Sequence, residues 1–411
     1  MRILMLSDFY APLIGGTERH VQMLSRELVK RGYHVAVATS MHKGSPAIED
    51  DEGVKVYRIA GWNRALAPFY QDPNRLFTLP VPDPGFTREL QRIVQQERPE
   101  IVHAHNWIMY SFLSLKTWSN ARFVLTLHDY GLRCPTVSYL HHGQVCTGPG
   151  YIKCIKCGIS QYGRGKSTLI TTGLKLSSPL LRHVDKYIAV SSAVKDASRG
   201  ETDSANKIEV LSTFISKTVL DEANQVERPA FLPPEDNYIL FVGKESALKG
   251  LDVLLEAYQS QGLSELAPLV LILSGPGDPT RKFPPGVTVA RNVPHPQVMG
   301  GWKHCAVGVA PSVWPEPFGQ VIVEAMACGK PVVASAIGGI PDIILHGTSG
   351  LLVKPNDAHA LGEALRTLLL DPNKRAQMGK IGQERAHLFT IDVVANRTEQ
   401  IYQELVTADA N

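Results

Sequence analysis

Apolar residues run without interruption from Ile3 to Leu6 and stop at Ser7 and Asp8. A short run with no polar alternation predicts a strand buried on both faces. Val21, Leu24 and Leu28 then recur at i, i+3 and i+7, the stripe of an amphipathic helix that Gly32 ends. The pattern repeats. HVAVATS, VKVYRIA, IVHAH, RFVLTLH and KYIAVS read as strands, and FTRELQRIVQQERP as a helix closing near Pro99. From about Leu211 to Asn237 the rhythm breaks, with Pro229, Pro233 and Pro234 among charges, and the stretch reads as a linker. Alternation resumes with strands YILFVG, PLVLILSG, VTVARNV, CAVGVAPS, PVVASA and GLLV, helices LDVLLEAYQS and GQVIVEAMACG, and an amphipathic tail helix over 393–406. Strands alternating with helices predict parallel sheets covered on both faces, here two of them. The expected domains are 1–212, carrying a Cys-rich insert over about 130–166, then 213–392, then a helix over 393–411. Ligands of open α/β sheets bind at the carboxyl ends of the strands, so a cleft between the domains is the default site.

A length of 411 residues suits two domains, and 44% hydrophobic with 20% charged residues is the composition of an ordinary globular protein. No apolar run reaches membrane-spanning length, and the apolar start is too short for a signal peptide, so a cytoplasmic location is expected. The net charge of +3 is unevenly placed, with 23 Lys and Arg against 14 Asp and Glu in residues 1–190. No acidic residue lies between Asp129 and Asp185, where Arg133, Lys153, Lys156, Arg164, Lys166, Lys175 and Arg182 stand. That stretch reads either as a solvated loop or as a contact with a lipid head group or an anionic acceptor. Trp62, Phe69, Tyr70 and Phe77 among Arg58, Arg64 and Arg75 read as a peripheral membrane contact, as the acceptor side of a cleft, or as core. The acidic run Glu49–Glu52 reads as solvated surface at a turn.

Two motifs carry chemistry. Gly15-Gly16-Thr17 follows a strand and opens a helix, where a diphosphate can approach free amides; the plainer reading is a tight turn. The dinucleotide fingerprint G-x-G-x-x-G is absent there, which argues against a dehydrogenase. In PSVWPEPFGQVIVEAMACGKPVVASAIGGIPDII, prolines put Glu316 on a loop and Glu324 falls eight residues on, in a helix whose first amides are those of Phe318, Gly319 and Gln320. A carboxylate beside free N–H donors can hold both sugar hydroxyls and phosphate oxygens. Gly338-Gly339 follows the next strand.

With these residues the chain resembles the retaining glycosyltransferases of family four. The motifs are the GGTE loop, HAHN at His103–Asn106, TLHD at Thr126–Asp129, FVGKESALKG, and the E-x7-E segment continued by AMACGKPVVAS. The resemblance implies an α/β GT-B fold: two Rossmann-like domains facing each other across a cleft, with the C-terminal helix returning to the N-terminal domain. It implies transfer of a sugar from a nucleoside-diphosphate donor to an acceptor hydroxyl, in glycan, glycolipid or natural-product synthesis. By the resemblance, Glu324 accepts bonds from the donor ribose and Glu316 faces the transferred sugar. Phe318, Gly319 and Gln320 offer amides to sugar and phosphate, and Gly15 and Gly16 approach the diphosphate. His128 contacts the donor sugar, Lys249 neutralises the leaving diphosphate, and the base lies near Val293. Catalysis needs no metal, and the sequence holds no convincing D-x-D motif. Fixed cations and helix amides aimed at the leaving oxygen stabilise its charge without reorganisation. Lys244 stands where the family usually has Arg, keeping the charge but losing the planar fork. STFIS at Ser212–Ser216 replaces the usual Asn-Gly turn before the linker. No nucleophile is evident, and a front-face mechanism with retention is expected.

Cys134, Cys146, Cys154 and Cys157 are spaced C-x11-C-x7-C-x2-C. C-x-x-C is a common half of a structural zinc site; an iron–sulfur cluster, disulfides and unbound thiols are the other readings. Cys305 and Cys328 read as inert core thiols. Rival functions are a nucleotide-sugar epimerase of the same fold, a non-catalytic member that binds a nucleotide sugar, and a nucleic-acid binder, against which the sparse aromatics of the basic insert argue; no nucleic-acid partner is expected.

Overall fold

Apolar runs become the inner strands of two sheets in a computed structural model that describes residues 1–13, 15–62, 64, 77–200, 207–216, 219, 226–275 and 277–408. Two compact units divide it: 1–212 with 394–411, and 213–393.

The first unit is built on strands β1 (Arg2–Ser7), β2 (His34–Ser40), β3 (Ile48–Asp51), β4 (Val54–Ile59), β5 (Ile101–Ala104), β6 (Arg122–Leu127), a two-residue pair β7 (Leu140–His141) and β8 (Gln144–Val145), then β9 (Lys186–Ala189) and β10 (Ile208–Val210). The main sheet runs β10-β9-β6-β5-β1-β2-β4-β3. All its pairs are parallel except β3 on β4. The order reverses direction at β1, so the loops after β1 and β5 leave the sheet at a topological switch point, where open sheets take ligands. These loops carry Asp8 and His105. Helix Gly16–Lys30 turns His20, Val21, Leu24, Ser25 and Leu28 inward, as the stripe requires. From residue 394 the chain is again part of this unit, where Tyr402 and Arg397 bond to His103 and Glu209.

The second unit holds β11 (Ile239–Lys244), β12 (Leu269–Ser274), β13 (Val287–Arg291), β14 (Val307–Ala310), β15 (Val332–Ser335) and β16 (Gly350–Val353), all parallel in the order β13-β12-β11-β14-β15-β16. Here the switch point lies at β11 and β14, which end at Lys244 and just before Ser312. Helices Ala358–Leu370 and Pro372–Ala386 complete the unit, capped by the carboxylates of Asp357 and Asp371.

Three expectations are corrected. The acidic run is solvated surface only in part: Asp50 and Glu52 are exposed, but Ile48–Asp51 is the antiparallel edge strand, Asp51 accepts bonds from Tyr10 Oη (2.7 Å) and Gln22 Nε2 (3.0 Å), and Glu49 pairs with the buried Arg58. Only Glu52-Gly53 forms the turn. The supposed linker is partly core. Phe214 and Ile215 are buried, Leu232 joins the second unit's apolar cluster, and Ile215 N donates to Phe389 O at 2.9 Å. The Cys-rich insert holds a helix, Tyr151–Ser177, broken at Gly163 (φ 75°, ψ 167°). Its two arms fold together, with Ser167 Oγ donating to Ile155 O at 2.7 Å and Tyr151 Oη 2.8 Å from Thr172 Oγ1.

Of the aromatic and basic group near residue 70, Arg58 is buried and ion-paired, which removes it from any membrane-facing patch, while Trp62 and Phe77 are exposed. Phe69, Tyr70 and Arg75 lie outside the described residues. Among the described residues no helix is long and apolar enough to cross a membrane.

Candidate functional site

Each unit gathers polar residues at the carboxyl ends of its strands. In the second unit the loop after β14 bends back so that Glu316 meets Lys249. Two glycines make that possible. A Cβ at Gly338 (φ 61°) would lie 2.2 Å from Glu316 O, and one at Gly250 (φ 72°) 1.8 Å from Pro311 O. Neither position can carry a side chain without the loops moving apart. Gly339 N donates to Glu316 O at 2.7 Å and fixes the loop. The Glu316 carboxylate is held from both sides, by Lys249 Nζ on Oε1 and by Ser312 Oγ on Oε2 at 2.8 Å. Lys249 Nζ also sits 5.9 Å from the centre of the Trp314 ring. The ion pair is partly buried, which strengthens it relative to an exposed one.

Gly319 precedes helix Gln320–Ala327, on which Glu324 is buried and shares a 3.2 Å contact with His295 Nε2. Phe318 is buried in the core, its ring 5.7 Å from that of Phe389. Lys244 is exposed at the end of β11, and Val293 lies between β13 and the helix starting at His295, packed on the apolar cluster. The structure thus brings Lys249, Glu316, Gly338 and Gly339 together. Ser312 and His295 were not foreseen; the only signal is that a serine stands four residues before Glu316 in the same loop.

In the first unit the loops after β1, β5 and β6 bring together Asp8, His105, His128 and Asp129, with His20 from the first helix. His105 Nδ1 and His128 Nε2 share a hydrogen bond of 3.0 Å, and the His20 ring lies 4.8 Å from that of His128. His103 is bonded on both nitrogens, to Tyr402 Oη (2.6 Å) and Thr126 Oγ1 (2.7 Å). Burial disfavours charge on all of these groups. It pushes His128 down to about 4 and His103 down to about 3, and holds His20 and His105 well below the ordinary imidazole value. Burial also raises the Asp8 carboxyl to about 7, against bonds from Thr78 Oγ1 (2.7 Å) and Ile108 N (3.0 Å), and raises Asp129. Burial therefore holds the imidazoles toward their neutral form and keeps Asp8 mostly protonated near pH 6. Gly15 stands at the start of the first helix, and a Cβ on Gly16 would meet nothing within 4 Å, so packing does not demand that glycine. His103 and His105 alternate along HAHN, which puts them on one face of β5 and its extension; that spacing was the available signal for the cluster.

Metal-capable side chains also fall here. Ligand atoms of His20, His105 and His128 lie within 4.8 Å of one another, and among the described residues no other such group is found. The four cysteines of the insert are free thiols. Cys154 and Cys157 lie one turn apart in the first arm of the broken helix. Cys154 Sγ accepts from Gly150 N, Cys146 Sγ from Lys153 Nζ, and Cys157 Sγ donates to Leu140 O, each at 3.4 Å. Cys134 is buried beside Thr136.

Comparison with known proteins accounts for both units. The family "Glycosyltransferase Family 4" matches residues 14–218, and "Glycosyl transferases group 1" matches 224–385. A D-inositol 3-phosphate glycosyltransferase of Xylanimonas cellulosilytica is 29% identical over 97% of both chains. A glycogen synthase of Mycobacterium tuberculosis is 26% identical, covering 98% of this chain and 94% of its own. Among solved structures, the sucrose-phosphate synthase of Thermosynechococcus elongatus superposes with a TM-score of 0.74 at 22% identity over 99% of both chains. Anabaena HepE in complex with UDP and glucose gives 0.66 at 19% identity, covering 98% of this chain and all of that one. The shared fold is GT-B.

Proposed function

This chain belongs to the family 4 glycosyltransferases of group 1, and from that premise we propose that it moves a sugar from a nucleoside diphosphate to an acceptor hydroxyl with retention of configuration. The observation that carries the reading is the Glu316 carboxylate clamped between Lys249 and Ser312, eight residues before the buried Glu324.

The second unit takes the donor. Glu324 accepts from the ribose hydroxyls, and Glu316 accepts from a hydroxyl of the sugar. The amides of Phe318, Gly319 and Gln320 donate to sugar and phosphate oxygens. Lys249 and Lys244 offset the charge that grows on the diphosphate as the bond from the anomeric carbon breaks. Donor hydroxyls and phosphate satisfy Glu316 and Lys249 separately, so binding exchanges their ion pair for two ligand contacts. The diphosphate leaves with the bonding electron pair. The acceptor oxygen attacks from the same face, and its proton passes to the departing phosphate oxygen. HepE binds UDP and glucose, which makes UDP the first nucleotide to test.

Thermal stabilisation by UDP, GDP, ADP and CMP tests the reading. Stabilisation by one diphosphate that is lost in Glu324→Ala supports it. Stabilisation by none at millimolar concentration points instead to a member that has lost its donor.

A further inference from the structure

Three imidazoles from three separate elements face one another in the first unit. His20 comes from helix Gly16–Lys30, His105 from the loop after β5 and His128 from the loop after β6. Their ring centres lie 4.8 Å (His20–His128), 5.2 Å (His105–His128) and 5.7 Å (His20–His105) apart. Each ring offers a nitrogen within 4.8 Å of the other two. The 3.0 Å hydrogen bond between His105 Nδ1 and His128 Nε2 accounts for one side of this triangle. His105 Nε2 is left buried without a protein partner among the described residues. The His103 ring lies 4.3 Å from that of His105, but its two nitrogens are taken by Tyr402 and Thr126, so it backs the group rather than joining it.

We propose that His20, His105 and His128 form a binding site for a zinc-type divalent metal ion, with a fourth coordination position open to the cavity beside them. Imidazole nitrogen suits Zn²⁺, Co²⁺, Ni²⁺ and Cu²⁺, whereas Mg²⁺ and Ca²⁺ take oxygen. Three protein ligands and one exchangeable position is a common arrangement for zinc. Zn–N bonds of about 2.0–2.1 Å put tetrahedral ligand nitrogens roughly 3.4 Å apart. The bonded pair is near that spacing, and the widest separation has to close by roughly 1.4 Å or less. The open position follows from what lines the neighbouring cavity of about 700 Å³: His105 and His128 do, while His20 is buried and does not. The cavity is also the ion's route in. Asp8 and Asp129 line it too and are the carboxyls placed to offset the charge of a dication. Burial holds the three imidazoles toward their neutral form, which is the form that ligates. A bound ion withdraws His105 and His128 from any other ligand of the cavity. The transferase reading above uses no metal, and this site is independent of it.

Binding is measured on the full, untagged chain with Co²⁺. Its visible absorption reports a tetrahedral shell, and thiolate ligands add near-ultraviolet charge-transfer bands that imidazoles do not, which separates this trio from the cysteines of the insert. One Co²⁺ per chain is expected with a Kd of about 100 μM or tighter, with visible bands and no thiolate bands. Zn²⁺ should displace it and millimolar Mg²⁺ should not. Azide should shift the visible bands by entering the open position. His20→Gln and His20→Ala should each weaken binding about tenfold or more, and Cys157→Ser should leave it unchanged. If neither His20 variant folds, X-ray absorption of the zinc-loaded wild-type chain decides, with imidazole nitrogen and no sulfur around the metal as the expected shell. Weaker binding by the wild-type chain, sulfur in the shell, loss of binding in Cys157→Ser, displacement by Mg²⁺, or undiminished binding in a folded His20 variant overturns the proposal. Visible bands that azide does not move overturn the open position.

Discussion

The two units share an architecture and use it in opposite electrostatic ways. In the second, residues at the strand ends carry opposite charges in pairs, Glu316 with Lys249 and Glu245 with Arg291. In the first, four imidazoles and two carboxyls are buried together, and burial drives them toward neutrality. Paired charge can be re-partnered by an anionic ligand, whereas neutral polar groups in an apolar wall suit an uncharged hydroxyl. The difference is the one expected if the second unit takes the anionic donor, as proposed above.

The comparison breaks most visibly if the paired charge is removed. Glu316→Gln keeps the shape but leaves Lys249 without its carboxylate and weakens the grip on the sugar. Transfer should fall about 10³-fold, read as kcat with the preferred donor, while the melting temperature changes little. A fall of less than about tenfold would detach Glu316 from the chemistry.

Acid should separate the units next. Histidines held below their ordinary value stabilise the fold fully above pH 6.5, and that stability is lost as pH falls through their folded values. For His128, with a folded value of about 4, the loss reaches about 3 kcal/mol. Hydrogen exchange between pH 7 and 4 should show β1, β5 and β6 opening before β11 and β14. Simultaneous opening would mean that the histidine cluster does not set the acid limit.

Asp8 acts with the reverse sign. Its folded value of about 7 lies above the ordinary carboxylate value of 3.8, so it contributes stability at low pH that is lost as pH rises toward 7. Both accepted bonds fall on Oδ1, from Thr78 and Ile108, and an asparagine oxygen can keep both. Asp8→Asn should stabilise the protein on the order of 4 kcal/mol above pH 7 and by nothing near pH 4. Transfer should fall at the same time, the exchange expected where a strained site serves function. Denaturant curves at the two pH values measure the first effect; stabilisation of equal size at both would exclude ionisation as its cause.

The inner strands were legible because strands buried on both faces are written as unbroken apolar runs: Ile3–Leu6, Ile239–Val242, Leu269–Leu273. The edge strand Ile48–Asp51 was not, since only partner side chains such as Arg58, Tyr10 and Arg26 make its acids tolerable, and those come from elsewhere in the chain. Helix Tyr151–Ser177 hid behind its glycines and lysines, which carry no stripe across the break at Gly163. In the site, Glu316, Glu324 and Gly338 were legible from local order. The contact of Lys249 with Glu316 spans 67 residues and depends on the approach of Gly250 to Pro311, which no local pattern encodes. The neutrality of Asp8 was equally hidden, because it comes from burial by loops distant in sequence.

The smallest expected effect sharpens the charged side of the comparison. Lys244 ends β11 at the switch point of the second sheet, exposed, with its backbone oxygen accepting from Ser246 N at 2.9 Å. An ammonium there meets phosphate as a point charge, hydrated and mobile, whereas a guanidinium offers two parallel donors in a fixed plane. The site is open enough for the longer side chain, so Lys244→Arg should fold normally and lower the KM for donor about two- to fivefold with kcat unchanged. That split is the informative part. An arginine that held the leaving oxygen only in the transition state would raise kcat, while one that grips the diphosphate throughout lowers KM alone. Unchanged KM and kcat, with Lys244→Ala equally silent, would remove residue 244 from the diphosphate site and leave Lys249 as the cation assigned to it.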